Sequence, residues 1–263
     1  MTHSPAKPPR ISVITVVRND LPGLLATRAS LRTQVFADWE WIVVDGASTD
    51  GGATWLAAHA DEPAWWRSAP DEGPFDAMNI GLGAATGDYV LFLNAGDTLA
   101  SPDVLGRIAA ARADFIYGDA LERDAGGEMR LKPARSHRFV FYGMFTHHQA
   151  MAYRRDMVAG LRFEPRFPVG ADYAFTVRAL ARARCVLRLD FPICVFALGG
   201  LSQRQAADGR HDQTAVRREL LGIGWLPCAA ITATQYCAAI MKRHFPTLCG
   251  NGRFLLRAIL FRL

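Results

Sequence analysis

The chain has 263 residues, half of them apolar, and Lys and Arg exceed Asp and Glu by five. That length suits one large domain, or one domain with an appendage, with enough apolar residues for a sizeable core. The mild charge excludes a dedicated nucleic-acid binder, and the even composition excludes a low-complexity or repeat protein.

The first ten residues, MTHSPAKPPR, are polar and Pro-rich and read as a loose tail. The run ISVITVV that follows is seven residues long and β-branched, which predicts a buried parallel strand over Ile11–Val17 and no secretory signal; a cytoplasmic protein is expected. Helical spacing then covers Leu21–Gln34, with Pro22 near its start. Trp39–Val44 reads as a second strand closing on Asp45, Ala53–His59 as a helix, Trp65–Ser68 as a short strand, and Phe75–Ala85 as a helix with Pro74 in its first turn. Tyr89–Leu93 is the next strand and Pro102–Arg112 the next helix. This alternation predicts an α/β fold with a doubly wound, mostly parallel sheet.

Beyond residue 114 the pattern is less regular. Phe115–Asp119, Gln149–Tyr153, Val186–Leu189 and Cys194–Ala197 read as strands, Glu122–Met129 as a hairpin connection, and Asp172–Ala183 as a helix. After Gly199-Gly200 the chain reads as helical to its end, so the expected division is a tail over 1–10, a domain over 11–205 and a helical extension over 206–263. From Gln213 onward seven Lys and Arg stand against Glu219 alone, a balance of +6. Such a tail suits peripheral contact with an anionic membrane surface or an anionic acceptor, or simply a solvated face. Leu221–Met241 carries no charge over 21 residues, but its Pro, Thr, Gln, Ala and Gly content favours a buried or interfacial helix pair over a span. Arg253–Leu263 could lie in a membrane interface or pack on the domain. Cys185, Cys194, Cys228, Cys237 and Cys249 are odd in number and include no CxxC, so free thiols in a reducing compartment are expected.

The chemistry points to the ends of strands. Open α/β sheets bind ligands in the crevice outside the carboxyl ends of their strands. Asp45 sits at such an end and suits a nucleobase N–H or ribose hydroxyl, though an Asx-turn explains it equally well. Asp71, Glu72 and Asp76 cluster at a helix start, where capping alone would place acids, and Asn79 shares a helix face with Asp76. Asp97 closes the tip Asn94-Ala95-Gly96-Asp97 after the strand YVLFLN and is the best metal-ligand candidate, since one carboxylate with phosphates and waters is ordinary for Mg2+ or Mn2+. Asp172, at a helix start, is either an N-cap or a general base. Adjacent His147 and His148 lack a metal-site context. Neither GxGxxG nor GxxxxGK[ST] occurs, so dinucleotide and P-loop chemistry are disfavoured.

Four segments taken in order, ISVITVVRND, VVDGASTDG, DAMNIGLGAATGDYVLFLNAGD and VGADYAFTVRAL, resemble family 2 glycosyltransferases of the GT-A fold, which are inverting, nucleotide-sugar-dependent enzymes. DEGPFDAMN, NAGD and HHQAMAYRR look most like the bacterial exopolysaccharide subgroup of the colanic-acid type. The resemblance covers roughly residues 11–200. It implies that Asp45 binds the base or ribose of a nucleotide, usually uridine, and that backbone at Val16 and Val17 lines it. It also implies that Asp71, Asp76 and Asn79 lie on the donor side, that Asp97 holds Mn2+ or Mg2+ on the diphosphate, and that Asp172 deprotonates an acceptor hydroxyl. The implied acceptor is a lipid-linked saccharide at the inner membrane face. The chain departs from the family where Asn94 and Gly96 replace acids of the metal motif and where Ala171 replaces the Glu that often precedes the base. A nucleotidyltransferase and a non-catalytic sugar-nucleotide-binding module remain the alternatives.

Overall fold

The computed structural model describes residues 10–200 and 206–244. In chain order the elements are β1 (Ile11–Val17), α1 (Leu21–Arg32), β2 (Trp39–Asp45), α2 (Gly52–Ala58), β3 (Trp65–Ser68), α3 (Pro74–Ala84), β4 (Tyr89–Phe92), β5 (Thr98–Leu99), α4 (Val104–Ala111), β6 (Phe115–Arg123), β7 (Met129–Lys132), β8 (Met151–Arg154), α5 (Ala171–Arg182), β9 (Val186–Ala197), α6 (Ala206–Glu219) and α7 (Trp225–His244). Short 3-10 turns cover His137–Tyr142 and His148–Ala150.

The strands form one mixed sheet in the order β3-β2-β1-β4-β8-β6-β9-β5, with β7 paired to β6. β1, β2, β3 and β4 run parallel, and β1 and β4 are buried along their whole length, which explains their continuous apolar runs. The chain winds from β1 outward to β3 and then crosses back to β4 on the other side of β1. That reversal makes the carboxyl ends of β1 and β4 the topological switch point, the place where such sheets bind ligands. β8 enters antiparallel between β4 and β6, so the second half is not parallel throughout.

Two predicted strands, Val186–Leu189 and Cys194–Ala197, are one twelve-residue strand, β9. It pairs with β6 through register shifts on either side of Asp119, and Pro192 sits at that irregularity, where a ladder hydrogen bond is already missing. Gly118 is required there: a Cβ would stand 2.8 Å from the Phe191 carbonyl oxygen. β6 is also longer than predicted and turns into β7 through Asp124, whose carboxylate accepts from the Gly126 and Glu128 N–H groups at 2.9 Å each.

The chain divides into two compact units, Met1–Gln213 and Thr214–Leu263. Within the first, Asp212 Oδ2 accepts from the Val169 and Gly170 N–H groups at 2.9 Å each. In the second unit the uncharged run Leu221–Met241 is not one helix, because Leu221–Gly224 separates α6 from α7 and Gly222 has φ 64°. No helix among the described residues is long and apolar enough to cross a membrane. Cys185, Cys194, Cys228 and Cys237 are free thiols. The first nine residues, Cys249 and the segment Arg253–Leu263 lie outside the described residues.

Candidate active site

The loops after β1 and β2 are stitched together. The Asn19 N–H donates to Ser48 Oγ (2.7 Å), the Thr49 N–H to Asn19 Oδ1 (2.7 Å), and the Leu21 N–H to an Asp50 carboxylate oxygen (2.7 Å). Asn19 and Ala47 adopt left-handed backbone, φ 52° and 57°, which these side-chain bonds hold in place. Asp45 belongs to that stitching. It is fully buried and accepts from the Ser48 N–H (3.1 Å), the Ser48 hydroxyl and the Ser68 hydroxyl (2.6 Å). Its carboxylate is engaged by Ser48 in the loop that follows and by Ser68 at the end of β3.

The next residue, Gly46, lets Asp71 approach the backbone closely. A Cβ on Gly46 would lie 2.7 Å from Asp71 Oδ2 and 3.3 Å from Arg18 Cδ. Asp71 therefore packs against the face that a side chain at position 46 would fill, while its other oxygen accepts from the Gly73 N–H (2.9 Å). Asp76 accepts from the Glu72 N–H (3.3 Å) at the start of α3 and closes that turn. Asn79 is committed elsewhere. Its amide oxygen accepts from the Phe163 N–H and its amide nitrogen donates to the Phe163 carbonyl, both at 2.8 Å, so it clamps the two peptide groups that flank Phe163. Val16 is buried and its carbonyl accepts from the Ala95 N–H (3.1 Å), which joins the tip of β1 to the loop after β4.

That loop carries Asp97, which is 4% exposed. One oxygen accepts from the Ala197 N–H (2.9 Å). Burial pushes the carboxyl up to about 7, against the Ala197 hydrogen bond, the Arg123 charge and a hydrogen bond from the Gln149 side chain. Arg123 also donates to the Gly96 carbonyl (2.9 Å), and the Thr27 hydroxyl to the Asp97 carbonyl (2.7 Å), so the tip is held from both sides. Beside it Asn94 Oδ1 is buried and meets no hydrogen-bond donor among the described residues. A buried carboxylate short of positive charge and an orphaned amide oxygen on the same four-residue tip fit a hard divalent cation, which takes oxygen ligands. Among the described residues no group of three or more His, Cys, Asp or Glu could hold a metal. A cation here would complete its shell with ligand phosphates and water.

Asp172 lies in the first turn of α5, where a carboxylate suits the helix dipole, but the N-cap is Gly170. Burial pushes Asp172 up to about 6, opposed by the Tyr173 N–H bond (2.7 Å) and reinforced by the charge of Asp212. A base with a pKa near 6 is ionised at neutral pH and still basic enough to take a proton from a hydroxyl. α5 packs on β4 through Phe175 and Phe92, ring centroids 6.2 Å apart, and Asp172 lies one turn before Phe175.

The histidines are structural. His148 stacks on Phe92 at 4.9 Å in an aromatic cluster and burial pushes it down to about 3. His147 stacks on Phe196 at 3.9 Å and contacts Glu122 at 2.9 Å, and burial pushes it down to about 4. Arg123, Gln149 and Asp212 escaped sequence reasoning, because each acts on a residue 27 to 52 positions away and no motif marks it.

Residues 12–165 match the family described as Glycosyl transferase family 2. The chain belongs to that family. It is 33% identical over 194 residues to an uncharacterized glycosyltransferase of Mycobacterium tuberculosis, covering 68% of this chain and 74% of the relative. It is 33% identical over 193 residues to a PGL/p-HBAD biosynthesis glycosyltransferase of Mycobacterium bovis, covering 68% and 73%. Among solved structures, S. aureus TarS 1-349 in complex with UDP-GlcNAc superposes with a TM-score of 0.64 at 19% identity, covering 92% of this chain and 74% of that one. Mannosyltransferase PcManGT from Pyrobaculum calidifontis in complex with GDP-Man and Mn2+ gives 0.58 at 19% identity, covering 92% and 83%. The family 2 glycosyltransferase thus has the GT-A fold, an α/β sheet with flanking helices, as its motifs implied.

Proposed function

We propose that this glycosyltransferase moves a sugar, with inversion, from a nucleoside diphosphate sugar to a hydroxyl of a lipid-linked saccharide in surface polysaccharide synthesis. The observation that carries the reading is the pair of carboxylates, Asp97 and Asp172, that burial holds at about 7 and about 6 on separate elements. Groups whose environments raise them toward neutrality inside a crevice are candidates for chemistry.

Asp172 takes the proton from the acceptor hydroxyl. The hydroxyl oxygen attacks the anomeric carbon from the face opposite the diphosphate, the bond from that carbon to the diphosphate oxygen breaks, and the nucleoside diphosphate leaves. One attack gives one inversion. Asp212 raises the basicity of Asp172 through like charge. Asp71, lying against Gly46, accepts a hydrogen bond from the base or ribose of the donor. Asp97, with Asn94 beside it, would hold Mn2+ or Mg2+, and such a cation supplies positive charge for a departing diphosphate. Uridine is the expected base, supported by the UDP-GlcNAc in the TarS structure of the same fold. The polysaccharide role is supported by a 41% identity over 132 residues to the O-antigen biosynthesis protein RfbC of Myxococcus xanthus, a match that covers 45% of this chain and 10% of that one. Membrane contact falls to the second unit, where Trp225, Leu226, Ile240 and Met241 of α7 are exposed next to a basic terminus.

A thermal-shift screen of UDP, GDP and their sugars, with and without Mn2+, tests the reading. A metal-dependent rise in Tm with one nucleotide is expected, since a ligand that binds only the folded state stabilises it. No shift with any nucleotide in folded protein would leave a binding module without a donor, and the reading would fall.

A further inference from the structure

α5 begins without a side chain of its own to close it. Its N-cap is Gly170, and the first turn that follows carries Asp172. The acceptor that Gly170 lacks comes from α6. Asp212 Oδ2 takes both the Val169 and the Gly170 N–H at 2.9 Å, and the Asp212 carboxylate is 6% exposed. Two glycines let the elements come this close. A Cβ on Gly170 would stand 2.7 Å from Asp212 Cβ, and one on Gly209 would stand 3.2 Å from Val169 Cγ1. Hydrogen bonds to an ionised acceptor are stronger than neutral ones, so the Val169-Gly170 turn is held firmly.

A clamp alone would not need a charge. A buried carboxylate costs stability unless it is compensated, and here the compensation is lean. Among the described residues no Lys or Arg pairs with Asp212, and His211, 3.8 Å from its other oxygen, is 87% exposed. The charge has one evident reader, Asp172, whose carboxyl it pushes upward together with burial. The other titratable group that feels Asp172 is Tyr153 of β8, a phenol that burial pushes up and so keeps neutral. Asp212 is therefore both the hydrogen-bond partner of the turn before the base and the charge beside it.

We propose that Asp212 is the positioning residue of the base: it fixes the turn that presents Asp172 and keeps negative charge next to it. Proton transfer then depends on Asp212, and donor binding does not. The inference rests on Asp172 being the acceptor's base.

Carbon-13 NMR of the full chain with labelled aspartate carboxyls follows this directly, Asp172 being assigned by the signal lost in Asp172→Asn. In the parent protein Asp172 should titrate at about 6. Asp212→Asn keeps an oxygen for the two N–H groups and removes the charge. The Asp172 midpoint should then fall by about half a pH unit or more, with hydrogen exchange at 169 and 170 still protected. Asp212→Ala should speed that exchange about tenfold or more. His211→Ala should leave the midpoint in place. An unmoved midpoint in Asp212→Asn, unchanged exchange in Asp212→Ala, or a midpoint that follows His211 would each overturn the proposal; the near-isosteric Asp212→Asn decides alone where Asp212→Ala does not fold. The metal-dependent thermal shift with UDP, read on the same samples, should be alike in parent and Asp212→Asn, and its loss in Asp212→Asn alone would place Asp212 on the donor side. If the shift persists and the midpoint does not move, Asp212 is only a clamp and the transferase reading stands. If the parent shows no shift with any nucleotide, the transferase reading fails and takes this inference with it.

Discussion

Two buried carboxylates at opposite ends of β2 and β4 show how this fold treats acids differently. Glu40, near the start of β2, is 5% exposed, much like Asp97 at 4%. Burial raises Glu40 too, yet its pKa ends below the usual range. It accepts from the Ser12 hydroxyl (2.5 Å), the Thr86 N–H and hydroxyl (2.7 Å each) and the Gly87 N–H (3.1 Å), and it pairs with Arg10 at 3.3 Å. Asp97 has the Ala197 N–H, the Gln149 side chain and the field of Arg123, and burial still wins. At similar exposure Asp97 is the more deeply desolvated of the two and has fewer donors, and both push its carboxyl up where that of Glu40 goes down. A saturated acid holds loops together; an acid left short of donors is ready for a cation or a proton.

The largest effect expected concerns Asp172. Asp172→Asn should lower transfer by about a hundredfold to ten-thousandfold while leaving the UDP-induced thermal shift in place. In the parent protein transfer should fall about tenfold per pH unit below about 6, as the base takes up its proton. A flat pH profile down to pH 5 would put the base elsewhere.

Next comes the contrast itself, read as Tm without metal at pH 8. Glu40→Gln should lose about 2–4 kcal/mol, because it strips a charge from a saturated buried network. Asp97→Asn should gain about 1–3 kcal/mol. The signs follow from linkage. Glu40, with a lowered folded pKa, adds stability above the usual Glu range and loses it as the pH falls through the folded value. Asp97, raised to about 7, weakens the fold progressively as the pH climbs from its ordinary value of 3.8 toward 7, and a neutral amide escapes that penalty. Two losses of equal size would erase the distinction between the ends of the sheet.

Smaller effects sharpen the donor side. Gly46→Ala pushes a methyl against Asp71 Oδ2, which a flexible carboxylate can yield to only by leaving its place; UDP affinity should drop about tenfold, roughly 1.4 kcal/mol. Asp45→Asn should instead show itself in stability. Asn79→Ala should cost about 1–3 kcal/mol of stability by freeing the N–H and the carbonyl of Phe163, with KM for the donor unchanged; a raised donor KM at unaltered Tm would place Asn79 on the donor side.

The sequence by itself determined the alternation of strand and helix through residue 112, the fold class, and the segments that carry the chemistry. It could do so because continuous apolar runs and acids at strand ends are local signals. The glycine of NAGD was visible too, although only as a gap in a family pattern. Tertiary structure decided what each acid is for. Asp45 and Asp71 read alike as carboxylates near a crevice, and only their surroundings tell them apart: Ser48 and Ser68 engage one, while the other accepts from the Gly73 N–H and lies against Gly46. The same holds for β9, which reads as two strands until β6 is seen to pair along its whole length. A group 26, 52 or 100 residues away sets whether an acid is satisfied, as Arg123, Gln149 and Ala197 do for Asp97, and no short window of sequence contains that sum.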